Sequence, residues 1–304
     1  MKIHFIGIGA QKSGTTWIDK QLRKIPEFDL PPIKEIHYFD RSEIYPSSNR
    51  FTEKYFWKRI ISRGYIKKII KLFYTYFLER DFKKFNFNRK ILFLNYNINF
   101  YKSLFNDQDG FTGEITPSYA FLNTKDIKEI FNLSPDLKLI LILRNPVDRA
   151  WSHFRYSLRN KNPIPEITNS KIIEFINSDA QLIRGNYIKT INNYLSVFDK
   201  KQLLICFYDA ISDNPKLLLK NIVKHICGNK KVSFDNIDYK IKVNISKKIN
   251  FTDEINDYLK KMYHDEIKEL SENYGGYFTK WYEETYNLKS TNKNRSLLPT
   301  FKVL

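Results

Sequence analysis

Ile3-His4-Phe5-Ile6-Gly7-Ile8-Gly9-Ala10-Gln11-Lys12-Ser13-Gly14-Thr15-Thr16-Trp17 passes from an apolar run through a turn-rich loop into a helix-compatible segment. The run Ile3 to Ile8 suits a short buried strand, and Thr15 to Ile25 can continue as a helix until Pro26. Between them, Gly9 to Gly14 leads into a helix start, where backbone N–H groups and the positive end of the helix dipole favour an anion. Such a strand, loop and helix can cradle phosphate, although Gly, Ser and Thr also make plain structural turns.

The spacing departs from the common nucleotide loop G-x-x-x-x-G-K-[ST]. Thr15 stands where that lysine belongs, and Lys12 has moved inside the loop. Further on, Leu137 to Leu143 reads Leu-Lys-Leu-Ile-Leu-Ile-Leu, a run suited to a parallel strand covered on both faces. It runs into Arg144 and not into the aspartate that would hold Mg²⁺ in a P-loop NTPase. These two departures weigh against an ordinary ATPase or GTPase and favour a donor used without metal.

The rest of the chain extends the same alternation. Residues 109 to 119 predict a second strand ending at Pro117, because proline cannot continue a central ladder. Val147 to Arg159 predicts a helix, and Leu203 to Tyr208 another short buried strand. Strands alternating with helices predict an α/β fold with a mainly parallel central sheet flanked by helices. Thr252 is placed to cap a long helix whose apolar positions run from Ile255 to Leu270 and which stops near Gly275-Gly276.

Arg144-Asn145-Pro146-Val147-Asp148-Arg149-Ala150-Trp151-Ser152 puts an arginine at a strand end and a serine in the following helix. A guanidinium fork and a hydroxyl donor can hold a second phosphate, such as one on a ribose 3′ oxygen. An ordinary ion-paired arginine would leave the same trace.

Residues 50 to 90 differ from their surroundings: 13 Lys or Arg stand against three acids, and Ile66, Ile69, Ile70, Phe73 and Phe77 form one apolar face. This predicts a basic amphipathic helix pair inserted at about 50–105, between the first and second core strands of a single domain spanning 1–304. Its Lys67, Lys68 and Lys71 could meet an anionic acceptor, an acidic membrane surface or only solvent.

The composition bounds the remaining choices. A formal net charge of +18, from 51 Lys and Arg against 33 Asp and Glu, favours anionic partners. Cys206 and Cys227 have no metal-ligand or disulfide spacing and suit buried structural thiols. The start of the chain lacks the pattern of a signal peptide, and no stretch reaches the roughly 18 uninterrupted apolar residues of a membrane span. A cytoplasmic protein is expected.

Taken together, Gln11 to Trp17 and Leu143 to Ser152, in this order, resemble the family of sulfotransferases that use 3′-phosphoadenosine 5′-phosphosulfate (PAPS). Lys34-Glu35-Ile36-His37-Tyr38-Phe39-Asp40, Gly113 to Tyr119, Gly185-Asn186-Tyr187 and Asn193-Tyr194-Leu195 are similar to its heparan sulfate branch and bacterial relatives. The similarity covers residues 3 to 45 and 109 to 281 and leaves the basic insertion outside. It implies a P-loop-like three-layer fold and sulfonyl transfer to a hydroxyl or amine, with a carbohydrate as the leading acceptor.

For the site, the resemblance implies that Lys12, Ser13, Gly14, Thr15, Thr16, Trp17, Arg144 and Ser152 hold the donor, with Tyr187 near the nucleotide. Ser246, Lys247 and Lys248 would lie in a late loop closing over it, although a solvated basic turn reads the same way. Glu35 matches the branch's catalytic base, while His37 has the better-matched intrinsic pKa and histidine is the base in other branches. The branch often carries lysine where Ile115 stands, so Lys12 would act without that second lysine. No metal is expected. The competing readings are a P-loop kinase or NTPase and a basic nucleic-acid module, the latter suggested by charge, 20 Tyr and 24 Phe. Nucleic acid is not the expected partner, and the sequence leaves the oligomeric state open.

Overall fold

The computed structural model describes residues 2–47, 51, 53–61, 64–105, 110–159, 167–235, 237–241, 252–288 and 297–302. Its centre is a six-stranded sheet in the order β2-β3-β1-β4-β5-β6, with strands β1 (Phe5–Gly9), β2 (Phe28–Asp29), β3 (Phe111–Ile115), β4 (Lys138–Leu143), β5 (Leu203–Phe207) and β6 (Thr300–Lys302). All pairings are parallel except β5 with β6. Strands β1, β3 and β5 are buried at every position, as expected of parallel strands with helices over both faces. The mainly parallel α/β architecture read from the alternating runs is therefore the one observed.

Strand β1 lies between β3 and β4, so the strand order reverses at its carboxyl end. Open α/β sheets bind ligands at such a reversal. Gly113 permits the close approach on one side, since a Cβ there would lie 2.3 Å from the Phe5 carbonyl oxygen. On the other side, Ala10 N–H donates to the Ile142 carbonyl at 2.7 Å, which ties the loop after β1 to the end of β4.

Several boundaries differ from the sequence reading. The first helix spans Thr15–Leu22, shorter than expected, and the chain turns through Arg23 to Ile25 before Pro26. Strand β2 has only two residues, too few for any periodicity, so the basic insertion falls between β2 and β3, the second and third strands. Strand β6 was also missed, being three residues of no distinctive pattern. The long helix Asp253–Tyr274 is capped as expected by the Thr252 hydroxyl, which accepts from Ile255 N–H, and it ends at Gly275. Cys206 and Cys227 are both free and buried. Among the described residues no helix is long and apolar enough to cross a membrane.

The insertion holds the helices Phe56–Ile60, Tyr65–Tyr74, Phe82–Phe93 and Ile98–Ser103, with a π-helical turn at Thr75–Glu79. Its later part joins the main core through Phe87, Tyr96, Phe100 and Tyr101. Its earlier part makes a small core of Tyr65, Leu72 and Leu92. The expected apolar face does not pack as a unit: Ile69 leans on that small core, whereas Ile66, Ile70, Phe73 and Phe77 are exposed.

Candidate active site

The loop after β1 bends through two left-handed residues, Lys12 (φ 69°) and Gly14 (φ 98°). Gly14 is required twice over. Its conformation suits glycine, and a Cβ would lie 2.6 Å from Ile211 Cδ1. The helix Thr15–Leu22 then starts beneath the loop, and the N–H groups that open a helix have no acceptors of their own within it. Ser13 is fully buried, Thr15 nearly so, and Thr16 is half-buried in the first turn.

Cations gather above this helix start. Arg144 follows β4 with its guanidinium over the Tyr208 ring, 4.5 Å from the ring centre, and only a long contact of 3.9 Å to Asp148. Its buried Nε has no hydrogen-bond partner among the described residues, and the same holds for Arg155 Nε. Lys12 Nζ sits 3.9 Å from the centre of the Tyr156 ring. Burial first, and then the charges of Arg144, Arg159 and Arg155, lower the Lys12 pKa to about 8, with Glu35 acting in the opposite sense. His153 nearby is lowered to about 4, mainly by burial, although a hydrogen bond to Gln181 works against this.

One helix organises this corner. Asn145 caps Pro146–Ser157 by accepting from Val147 N–H, and its Nδ2 donates to the Thr285 hydroxyl at 2.9 Å. Ser152, Arg155, Tyr156 and Arg159 follow at intervals that place them along one face of this helix and its continuation. Arg155 and Arg159 were not singled out from the sequence. Their three- and seven-residue spacing from Ser152 was the signal available.

Two other residues expected at the donor form hydrogen bonds to the backbone of the protein itself. Tyr187 is buried, and its hydroxyl donates to the Arg144 carbonyl at 2.8 Å, so it fixes the arginine's backbone. Trp17 turns into the core and donates its indole N–H to the Tyr239 carbonyl at 3.3 Å. Gln21 does the same to Asp238 at 2.8 Å, so this helix holds the segment that leads towards residue 242. Ser246, Lys247 and Lys248 lie outside the described residues. Arg184, also not anticipated, ties Gln11 of the loop to the backbone of Ala180 and Pro46 through its guanidinium.

Glu35 and His37 meet in a bent loop. Both are left-handed, at φ 66° and 61°, and the loop is held by buried partners from β3 and beyond. Ile36 N–H donates to Glu114 at 3.2 Å and Tyr38 N–H to the Tyr119 hydroxyl at 2.9 Å. Glu114 also accepts from Tyr101, Tyr119 and Thr116, and its burial raises its pKa against those donors.

Within that loop His37 Nε2 lies 3.4 Å from Glu35 Oε2, and Nδ1 lies 2.7 Å from the fully buried Asp40, which also accepts from Ser118. Burial opposes a charge on either residue and is outweighed in both. Hydrogen bonds to Asp40 and Glu35 raise His37 to about 9, while those from His37 and Lys34 lower Glu35 to about 2. At neutral pH the pair is an imidazolium and a carboxylate, so His37 has no free lone pair to accept a proton. Among the described residues no group of three His, Cys, Asp or Glu is close enough to hold a metal ion.

Several known proteins are similar to this chain. A human heparan sulfate glucosamine 3-O-sulfotransferase 3B1 is 31% identical over 142 residues, 40% of this chain and 35% of that protein. A bifunctional heparan sulfate N-deacetylase/N-sulfotransferase 1 from Caenorhabditis elegans is 25% identical over 135 residues, 42% of this chain and 16% of that protein. The matched region is thus a minor part of either relative's length. A sulfotransferase structure from Alicyclobacillus acidocaldarius superposes with a TM-score of 0.58 at 20% identity, covering 89% of this chain and 95% of that one, which supports the fold. The sulfotransferase domain family matches residues 2–287, from the first core strand through the helix that packs on Asn145, and the chain belongs to that family.

Proposed function

We propose that this chain is a single sulfotransferase domain carrying a basic insertion, and that it moves a sulfonyl group from PAPS to a carbohydrate hydroxyl or amine. The observation that carries the reading is the gathering of Lys12, Arg144, Arg155 and Arg159 near one helix start, with the buried Nε atoms of Arg144 and Arg155 lacking hydrogen-bond partners among the described residues. Burial and the charges of Arg144, Arg159 and Arg155 lower the Lys12 pKa, and a site whose cations work against its own lysine is answered by anions such as two phosphate groups. The carbohydrate part rests on the heparan sulfate enzymes, whose names state that substrate.

PAPS supplies an activated sulfonyl group and a phosphate leaving group, and every other contribution falls to the protein. Arg144, Arg155 and Ser152 hold the 3′-phosphate, while the N–H groups of Gly14, Thr15 and Thr16 receive the 5′-phosphate. Lys12 would stabilise the bridging oxygen on which charge grows as its bond to the donor sulfur breaks. Glu35 takes the proton of the acceptor as the new bond to sulfur forms, and His37, Lys34 and Asp40 orient the carboxylate. The test is binding followed by transfer. The 3′,5′-bisphosphate product PAP should raise Tm well above any effect of ATP with Mg²⁺, and radiolabelled sulfonyl should pass from PAPS to a member of a glycan panel. Equal stabilisation by the two nucleotides would reject the assignment of Arg144 and Ser152 to a 3′-phosphate.

A further inference from the structure

The helix Tyr65–Tyr74 is divided lengthwise into three strips. Tyr65 and Leu72 face the small core that they share with Leu92. About a third of a turn away, at 100° per residue, Ile66, Ile70 and Phe73 follow one another at i, i+4 and i+7, and Phe77 continues the series in the π-helical turn. Their exposures are 73%, 63%, 52% and 66%, and the Phe73 and Phe77 rings stack with centroids 6.4 Å apart. Lys67, Lys68 and Lys71 occupy the remaining strip and are all exposed. Ile61 and Leu78, which precede and follow these residues in the sequence, are also exposed, at 85% and 69%.

A contiguous ridge of large aliphatic and aromatic side chains is costly to leave in water, and such ridges mark docking surfaces. Its surroundings say what docks. Residues 50 to 90 carry 13 basic residues against three acidic ones, so the occupant must be negatively charged as well as apolar. A second copy of the same surface would bring these like charges together across a two-fold axis. Ile66 and Ile70 offer no stacking plane and no hydrogen bond to a nucleic acid base, and the Phe73 and Phe77 rings are stacked on each other. An anionic lipid bilayer supplies both a charged plane and an apolar interior, and it moulds itself to a protruding ridge.

We propose that the segment from Tyr65 to Glu79 seats on an anionic membrane surface, with Ile66, Ile70, Phe73 and Phe77 among the acyl chains and Lys67, Lys68 and Lys71 at the headgroups. The helix lies in the plane of the interface, and its Tyr65–Leu72 side stays on the protein. This surface is remote in sequence from the donor residues, so docking and donor binding separate experimentally.

The test uses the full chain with two kinds of vesicle, phosphatidylcholine alone and equimolar phosphatidylcholine and phosphatidylserine. The protein should sediment with the second, remain in solution with the first, and be released by salt. Combined Lys67→Gln, Lys68→Gln and Lys71→Gln should weaken partitioning by roughly 100-fold, at about a tenfold loss for each one or two lysines. Combined Ile66→Gln, Ile70→Gln and Phe73→Gln should abolish it at every salt concentration. Both variants should keep the Tm rise caused by PAP, which shows that the domain is folded. Wild-type protein that stays in solution with the anionic vesicles overturns the proposal, as does an apolar-strip variant that still sediments. A dimer seen by light scattering that the apolar-strip variant dissolves, without vesicle binding, assigns the ridge to a second copy.

Discussion

Single side chains decide the chemistry at this site, and Glu35 is the most exposed to test. Its carboxylate is ionised and lies beside Lys34 and His37, while His37 is held protonated near neutral pH by Asp40 and Glu35 itself. Glu35→Gln should therefore lower kcat by about 10² to 10⁴, the usual worth of a general base, with the Tm shift by PAP retained. His37→Ala should cost less, because it removes an orienting partner. Turnover lost in the histidine variant and kept in the glutamine variant would reverse the two roles. Lys12 gives a pH signature. With its pKa lowered to about 8, it loses its charge as pH rises through that value, whereas bound anions favour the charged form. Donor affinity should be flat below about 8 and fall above it by up to tenfold per pH unit, as titration calorimetry with PAP would record. Arg155→Ala should move the inflection upward by removing a like charge, but not back to the ordinary lysine value, because burial is the larger cause.

At the level of strands and loops, the parts read most easily from the sequence were those with a local signature. The strand, loop and helix at Phe5 to Leu22 and the run from Lys138 through Ser152 are written in contiguous residues, because an apolar run, a glycine with positive φ and an Asn-Pro helix start are local requirements. The Glu35 loop was legible only by resemblance. Its left-handed residues and its dependence on Glu114, 79 positions away, leave no local pattern. The buried glutamate holds that loop by accepting from Ile36 N–H, Tyr101, Tyr119 and Thr116. Glu114→Ala would leave those donors buried without an acceptor, at about 1–3 kcal/mol for each that finds no water. The urea midpoint should fall accordingly, and kcat should drop although Glu114 need not touch substrate. An unchanged midpoint would mean that the loop is held by other contacts.

Over the whole molecule, the net charge of +18 surrounds a corner that is itself cationic. The long-range part of this field is screened at physiological salt, where the Debye length is about 8 Å, whereas the buried contacts are not. Association of PAP should therefore slow steeply between low and physiological ionic strength, with dissociation changing much less. Stopped-flow rates measured across a salt series would show this division. A dissociation rate rising as steeply as the association rate falls would place the phosphates in open solvent instead of against Arg144 and Lys12.

The position of β1 between β3 and β4 also bears on how the chain comes off the ribosome. Both neighbours of the first core strand are synthesised after it: Phe5 pairs with Gly113 and with Lys138. At about 5–20 residues per second, the apolar stretch around Phe5-Ile6-Gly7-Ile8 waits on the order of ten seconds or more for its partners to emerge. Until then the nascent chain carries an unpaired hydrophobic strand followed by a basic segment, a combination that invites chaperone binding. A pause or rare codon placed between residues 9 and 138 would lengthen that wait.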